Sequence, residues 1–268
     1  MDIFDTIVRI GSKGLFIVFW CYADSLERNG WVGMENKIEI FDIAIDALTA
    51  KDTLKKIVQY MRSETLSTVE VVTLELLVQG QDNLEWKGQM NQMDLVLPGE
   101  RDILDASESL DSHLLKELEK KVFLKMLLKY LQRSQKKVFL LAGREEELLL
   151  LKEKVRPLLR GMPEAGWALL PKDSGLEESI INEINSVEPD CILSVLPYPV
   201  QERFISGAKA LLNARVWMGF GLSLIQEDQK KRPARKLRRF FLKREFLHLV
   251  DQQKGVQPAP LQSGRIRR

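Results

Sequence analysis

The feature that most constrains this chain is a repeated change of hydrophobic period. Short runs of β-branched or aliphatic residues recur, most of them ending abruptly at Pro or Gly, and between them apolar residues recur at helical spacing. Residues 69–74 (VEVVTL), 94–98 (DLVLP), 137–143 (KVFLLAG), 190–196 (DCILSVL) and 215–221 (RVWMGFG) have the length and composition of buried strands. Residues 53–61, a stretch from about Leu76, 114–131, 145–159, 176–186 and 201–212 carry the helical spacing, with Pro157 a disturbance near the end of one of them. Residues 38–47 alternate loosely through Ile38, Ile40, Ile43 and Ile45, as a strand or hairpin does. Near-continuous apolar strands are covered on both faces, and the intervening helices supply the crossovers that parallel pairing needs. The expected fold is α/β, a mostly parallel sheet flanked by helices.

Composition adds exclusions. A chain of 268 residues, 45% hydrophobic and 29% charged, is neither disordered nor fibrous. Two cysteines, Cys21 and Cys191, and no CxxC exclude a disulfide framework and fit a reducing setting. His113 and His248 are far apart, so carboxylates would have to supply most ligands of any metal, and no metal site is expected. Neither GxGxxG nor a P-loop occurs.

The near-neutral total hides an asymmetry. Residues 230–268 hold 13 Lys/Arg against Glu245 and Asp251, a net +11, while the preceding 229 residues carry 27 basic and 36 acidic side chains, a net −9. Such a tail either meets something anionic or is a solvated charge run. At the other end, residues 15–23 (LFIVFWCYA) are apolar and uncharged, with Arg9 and Lys13 before them. The run is too short to span a bilayer and matches a signal-peptide core in length, although Asp2 and Asp5 weaken the basic flank. A third reading makes residues 1–33 an extension ahead of a true start at Met34. The expected division is 1–33, an α/β domain at 34–229, and a basic tail at 230–268.

In open α/β sheets the ligand lies at the carboxyl ends of the strands. Those ends fall at Thr73 to Glu75, Pro98 to Arg101, Gly143, Pro197 to Glu202, and Gly219 to Gly221. Gly143 before a helix can offer backbone N–H groups to a phosphate or simply make a turn. Gly219 and Gly221 permit close backbone approach or a tight turn. Gln201 and Glu202 open a helix, where an acid is favoured by the helix dipole in any case.

Five segments in this order carry a resemblance: VVTLELLV, NQMDLVLPGE, KKVFLLAG, EESIINEINSVEPDCILSVLPYPVQERFI and VWMGFG. Between about Lys37 and Leu224 the chain resembles the WecG/TagA/CpsF glycosyltransferases, which include the N-acetylmannosaminyltransferases of wall teichoic acid and enterobacterial common antigen. The resemblance favours Met34 as the start. It implies a Rossmann-like domain, with a basic C-terminal helical extension at the membrane surface that helps complete the active site. It also implies sugar transfer from a UDP-sugar, with no other cofactor, to an undecaprenyl-diphosphate-linked acceptor.

The resemblance implies site residues one by one, and several depart from the family pattern. Thr73 matches the family threonine, but the asparagine two residues on is Glu75. The aspartate of the LPDG segment, the proposed base, is Gly99, followed by Glu100. The arginine–glycine–aspartate pattern is lost near residues 117–122. Val195 and Pro197 replace glycines, while Pro199, Gln201 and Glu202 match, and the last family aspartate falls near Ser223. Thr73 and Glu100 are thus the expected catalytic groups. Glu75, Gly143, Gln201, Glu202, Gly219 and Gly221 are the expected substrate contacts. Arg235, Lys236, Arg238, Arg239, Phe240 and Phe241 are expected to touch an anionic membrane from the cytoplasmic side. Nucleic acid is not an expected partner, and self-association is left open. Two functions follow: transfer of an N-acetylmannosamine-like sugar, or a catalytically degenerate member that binds a nucleotide sugar or partners another enzyme of surface-polysaccharide assembly. Gly99→Asp is expected to raise turnover, and deletion of residues 230–268 to leave the body folded.

Overall fold

A hairpin opens the computed structural model, which describes residues 37–106, 112–155, 164–172, 175–226 and 233–256. The extension to residue 33, Met34, Pro157 and the side chains of Arg235 and Lys236 lie outside the described residues. Strands β1 (Lys37–Ile40) and β2 (Ile43–Asp46) pair antiparallel, Ile40 opposite Ile43. The two turn residues are Phe41 and Asp42, both at positive φ (52° and 62°), where a hairpin ordinarily uses Asn-Gly. Tertiary contacts hold them. Phe41 is buried with its ring edge-on to Phe246 at 5.9 Å, and its N–H donates to Gln253 Oε1 at 3.0 Å. Asp42 pairs with Lys87 at 2.7 Å.

Helix α1 (Ala50–Tyr60) is capped by Thr49, whose hydroxyl accepts from the Asp52 N–H. Then follow β3 (Ser67–Val72), α2 (Leu74–Gly80), α3 (Leu84–Asn91), β4 (Leu95–Pro98), α4 (Arg101–Asp105), α5 (Ser112–Glu119) and α6 (Val122–Arg133). The second half runs β5 (Val138–Ala142), α7 (Glu145–Val155), β6 (Glu164–Leu169), α8 (Glu177–Val187), β7 (Cys191–Val195), α9 (Val200–Ala208), β8 (Val216–Gly219), α10 (Ser223–Gln226) and α11 (Pro233–Val256). Two expectations are corrected. The helix expected over 114–131 is broken by Lys121 in the left-handed region, giving α5 and α6. Strand β6, short and containing Gly166, had no strand signal in the sequence reading.

Strands β3 to β8 form one parallel sheet in the order β4-β3-β8-β7-β5-β6. On one face Val69, Leu140, Leu193 and Met218 pack with Ile57, Leu128, Leu151 and Leu224. On the other, Phe139, Ile192 and Trp217 pack with Ile184, Phe204 and Ile205 of α8 and α9. A neighbouring cluster joins Val72 and Val96 to Leu77, Trp86, Phe246 and Val250. The β4 edge is covered by the hairpin, since Asp46 accepts from the Val96 N–H at 3.1 Å. The chain leaves β3 toward α2 on one face and β8 toward α10 on the other, so a crevice opens between their carboxyl ends.

Helix α11 has two apolar stripes, which explains why its sequence gives no single amphipathic face. Phe246 and Val250 are buried against the hairpin and α2, whereas Leu237, Phe240 and Phe241 stand exposed at 58%, 62% and 56%. The expectation of a separable tail is corrected by this packing. Phe246→Ala is expected to cost about 3–5 kcal/mol of stability. Arg238→Ala, at a largely exposed ion pair, should cost about 0–1 kcal/mol. Urea unfolding of the two variants checks this, and equal costs would show that α11 is not anchored through its ring.

Candidate functional site

An apolar cavity of about 100 Å³ lies at the crevice, walled by Val71, Leu97, Gly99, Leu104, Phe123 and Phe220 among others. Gly99 ends β4, and its N–H donates to the Val72 carbonyl at 2.7 Å. A Cβ at this position would stand 2.6 Å from that carbonyl oxygen and 3.0 Å from Val71 Cγ1. The blocking atom is backbone inside the sheet, so an aspartate fits only if the strand moves. The expectation that Gly99→Asp supplies a base is corrected on this ground.

The acids beside the cavity are engaged by α11. Glu100, at the N-cap of α4, pairs with Arg239 at 3.1 Å. Asp102 pairs with Arg239 at 3.2 Å and with Lys243. Burial works to raise the Asp102 pKa, and the hydrogen bonds from Lys243 and Arg239 outweigh it, holding the carboxyl below its ordinary range. Glu75 pairs with Arg238 at 2.5 Å. Two of the expected membrane-contacting cations, Arg238 and Arg239, therefore meet carboxylates of the protein itself, while Phe240 and Phe241 face outward.

The remaining expected contacts gather on the opposite face of the sheet. Glu70, Gly219 and Ser194 lie in one row across β3, β8 and β7, because Glu70 is in register with Gly219 and Gly219 with Ser194. Above the row, Ser194 Oγ donates to Gln201 Oε1 at 2.9 Å and Gln201 Nε2 donates to Glu70 Oε1 at 2.5 Å. Glu70, Ser194, Gln201 and Glu202 are at most 1% exposed. A Cβ on Gly219 would be 1.9 Å from Glu70 Oε2 and 2.8 Å from Gln201 Nε2. The missing side chain of Gly219 thus makes room for the Glu70–Gln201 contact.

Burial and the neighbouring Glu202 charge push the Glu70 pKa well up, against the Gln201 hydrogen bond. Burial pushes Glu202 up to about 7, opposed by its own backbone N–H and the nearby Trp86 indole. That indole N–H makes no hydrogen bond of acceptable geometry, and Glu70 Oε2 and Glu202 Oε2 have no donor either.

Three expected residues have local roles. Thr73 caps α2, its hydroxyl accepting from the Leu76 N–H at 3.2 Å. Gly143 precedes α7, whose first turn holds Glu145, Glu146 and Glu147, and the Glu147 carboxylate lies 3.1 Å from where its Cβ would be. Acids in that turn complement the helix dipole and disfavour a phosphate there. Gly221 takes φ 49° in the turn before α10. The expected site therefore divides: Gly99 lines the cavity, Glu75 and Glu100 meet α11, and Gln201, Glu202 and Gly219 are buried on the far face. Sequence reasoning missed Glu70, Ser194, Trp86 and Asp102. The signal for Glu70 was present, a lone acid inside an otherwise apolar strand.

Among the described residues, no group of three or more His, Cys, Asp or Glu side chains could hold a metal ion. None of their helices is long and apolar enough to cross a membrane. The description "Glycosyl transferase WecG/TagA/CpsF family" matches residues 38–243, which take in the hairpin, the whole parallel sheet and the first half of α11. The chain belongs to the WecG/TagA/CpsF glycosyltransferase family. No individual curated protein matches it. Within this family frame, the six-stranded parallel sheet and its flanking helices are the Rossmann-like arrangement, followed by a C-terminal helix.

Gly219→Ala is expected to cost about 1–3 kcal/mol by overpacking. Part should be recovered when Glu70→Ala is added, since the side chain it strikes is then gone. Gly99→Asp should lower the melting temperature. A Gly219→Ala protein as stable as the original, or Gly99→Asp with undiminished melting, would contradict the close approaches described here.

Proposed function

We propose that this chain engages a UDP-sugar and an undecaprenyl-diphosphate-linked acceptor in cell-surface polysaccharide or teichoic acid synthesis, with sugar transfer slowed by loss of the family base. Family membership supports the substrate class. The contact between Gly99 and the Val72 carbonyl carries the second half, because that position has neither a carboxylate nor room for one. A general base contributes about 10²–10⁴ in rate. On this reading the chain is a catalytically degenerate member that acts mainly by binding the nucleotide sugar or a partner enzyme. Glu100, next to Gly99 in sequence and paired with Arg239, is a carboxylate through which residual transfer could run.

The exposed stripe of α11 supports peripheral attachment to the inner face of the cell membrane. Leu237, Phe240 and Phe241 supply apolar surface beside Arg238, Arg239, Lys243 and Arg244. Rings and cations on one helix add insertion to electrostatic attraction, each cation being worth about 1 kcal/mol near an anionic surface. Since Arg238 and Arg239 also meet Glu75, Glu100 and Asp102, the aromatic pair contributes the part of the attachment that salt does not screen.

The test is a pair of measurements on the full chain, titration calorimetry with UDP-N-acetylmannosamine and UDP release in the presence of a lipid-linked sugar acceptor. Saturable binding with turnover reduced about 10²–10⁴-fold from that of a base-containing relative is expected. Robust turnover unaffected by Glu100→Gln would overturn the loss of the base, and absence of binding would overturn the substrate class. In vesicle sedimentation, binding to anionic lipid should fall with salt and fall further in Phe240→Ser/Phe241→Ser. Equal binding to neutral and anionic vesicles would remove the membrane assignment.

A further inference from the structure

The buried row on the far face of the sheet holds two carboxyl groups with too few donors for two charges. Glu70 Oε1 receives the Gln201 amide and Glu202 receives its own backbone N–H, while Glu70 Oε2 and Glu202 Oε2 receive nothing. Both residues are at most 1% exposed. Among the described residues the surroundings supply no compensating cation. Gly219 on β8 has no side chain, Ser194 on β7 spends its proton on Gln201, and α3 presents the Trp86 indole. Lys209, at the C-cap of the α9 helix that carries Glu202, is held by Asp94 at 2.7 Å and Thr68 at 3.2 Å. Arg203 of the same helix lines a separate pocket with Glu177 and Phe204. A charged group buried without a partner is costly enough that it keeps its proton instead.

We propose that Glu70 and Glu202 form a proton-dependent latch: while the pair holds a proton, α9 and Trp86 of α3 stay closed on the sheet, and ionisation of both glutamates loosens them. A retained proton also gives one of the two unpartnered oxygens an O–H to donate. The latch lies under the rim where β7 gives way to α9, so its state reaches the turn at Pro197 to Pro199. It goes beyond the proposed function and does not rest on it.

The sign follows from linkage. Both glutamates have raised pKa values, Glu202 up to about 7 and Glu70 in the same direction. Between the ordinary carboxyl range and those values the folded chain binds more protons than the unfolded one. Stability from the pair is therefore fully present at acid pH and lost as pH rises through that window. Asp94 and Asp102, whose pKa values are lowered, act oppositely and on the acid side. Asp94 is burdened by burial and relieved by Lys209 and Thr68.

Amide hydrogen exchange of the full chain, corrected for the intrinsic pH dependence, reads the latch at about pH 5.5 and about pH 8. In the original protein, protection in Val200–Ala208 and Leu84–Asn91 should fall with pH, while Val138–Ala142 in the middle of the sheet stays protected. In Glu202→Gln that pH dependence should disappear. If this variant fails to fold, Glu70→Gln is measured in its place. Infrared spectroscopy of the unmodified chain should show a protonated carboxyl band at the lower pH that diminishes at the higher. Equal corrected protection at both pH values, a pH dependence that survives Glu→Gln, or no protonated carboxyl band would each overturn the latch.

Discussion

A parallel sheet covered on both faces leaves no solvent for a polar side chain in its middle, and this structure is organised around a row where it nonetheless buries Glu70 and Ser194. Glu70 Oε1, Ser194 and Gln201 are bonded in a chain over the empty face of Gly219, and Glu202 joins the group from α9. An unmade bond there costs about 1–3 kcal/mol, more for a charge. The arrangement consequently fixes the seat of α9 on β7 and β8. It also fixes the identity of position 219, since any side chain there displaces a buried carboxylate.

The same inward turn recurs at the strand ends. Gly99 bonds the Val72 carbonyl, Thr73 caps its own helix, and Glu75 and Glu100 meet arginines of α11. The polar groups that the family resemblance implies as substrate contacts are largely used in holding the fold. The cations in the ion pairs of α11 are largely exposed, which limits what the pairs contribute. Its anchor is Phe246 in the hairpin cluster, and the ion pairs set its alignment over the acids.

Much of the fold was legible because its signals are local. Four of the five strand runs end at Pro or Gly, and four of the five helices expected in the sequence with both ends named appear within a few residues of their expected positions. Failures came where local preference is overridden. Nothing local marks Lys121 as left-handed, so one helix was expected where two form. Phe41 and Asp42 are poor turn residues, Phe41 held by α11 more than 200 positions away and Asp42 by Lys87 of α3. The site was less legible than the fold, because residue spacing does not say which face of the sheet a group serves. Gln201 and Glu202 sit correctly at a helix start, yet their side chains are buried and Gln201 turns onto the middle of the sheet. Only the partner, Glu70, reveals this, and it is 131 residues away.

The central claim, that Gln201 serves the fold and not the ligand, is tested most directly on its own side-chain amide. In the nitrogen–proton spectrum of the full chain, the Gln201 side-chain protons should exchange slowly and hold their shifts when UDP-N-acetylmannosamine is added, because both ends of the amide are occupied by Ser194 and Glu70. Rapid exchange in the free protein, or a shift of that resonance on addition of the nucleotide sugar, would place Gln201 at the ligand and contradict this account.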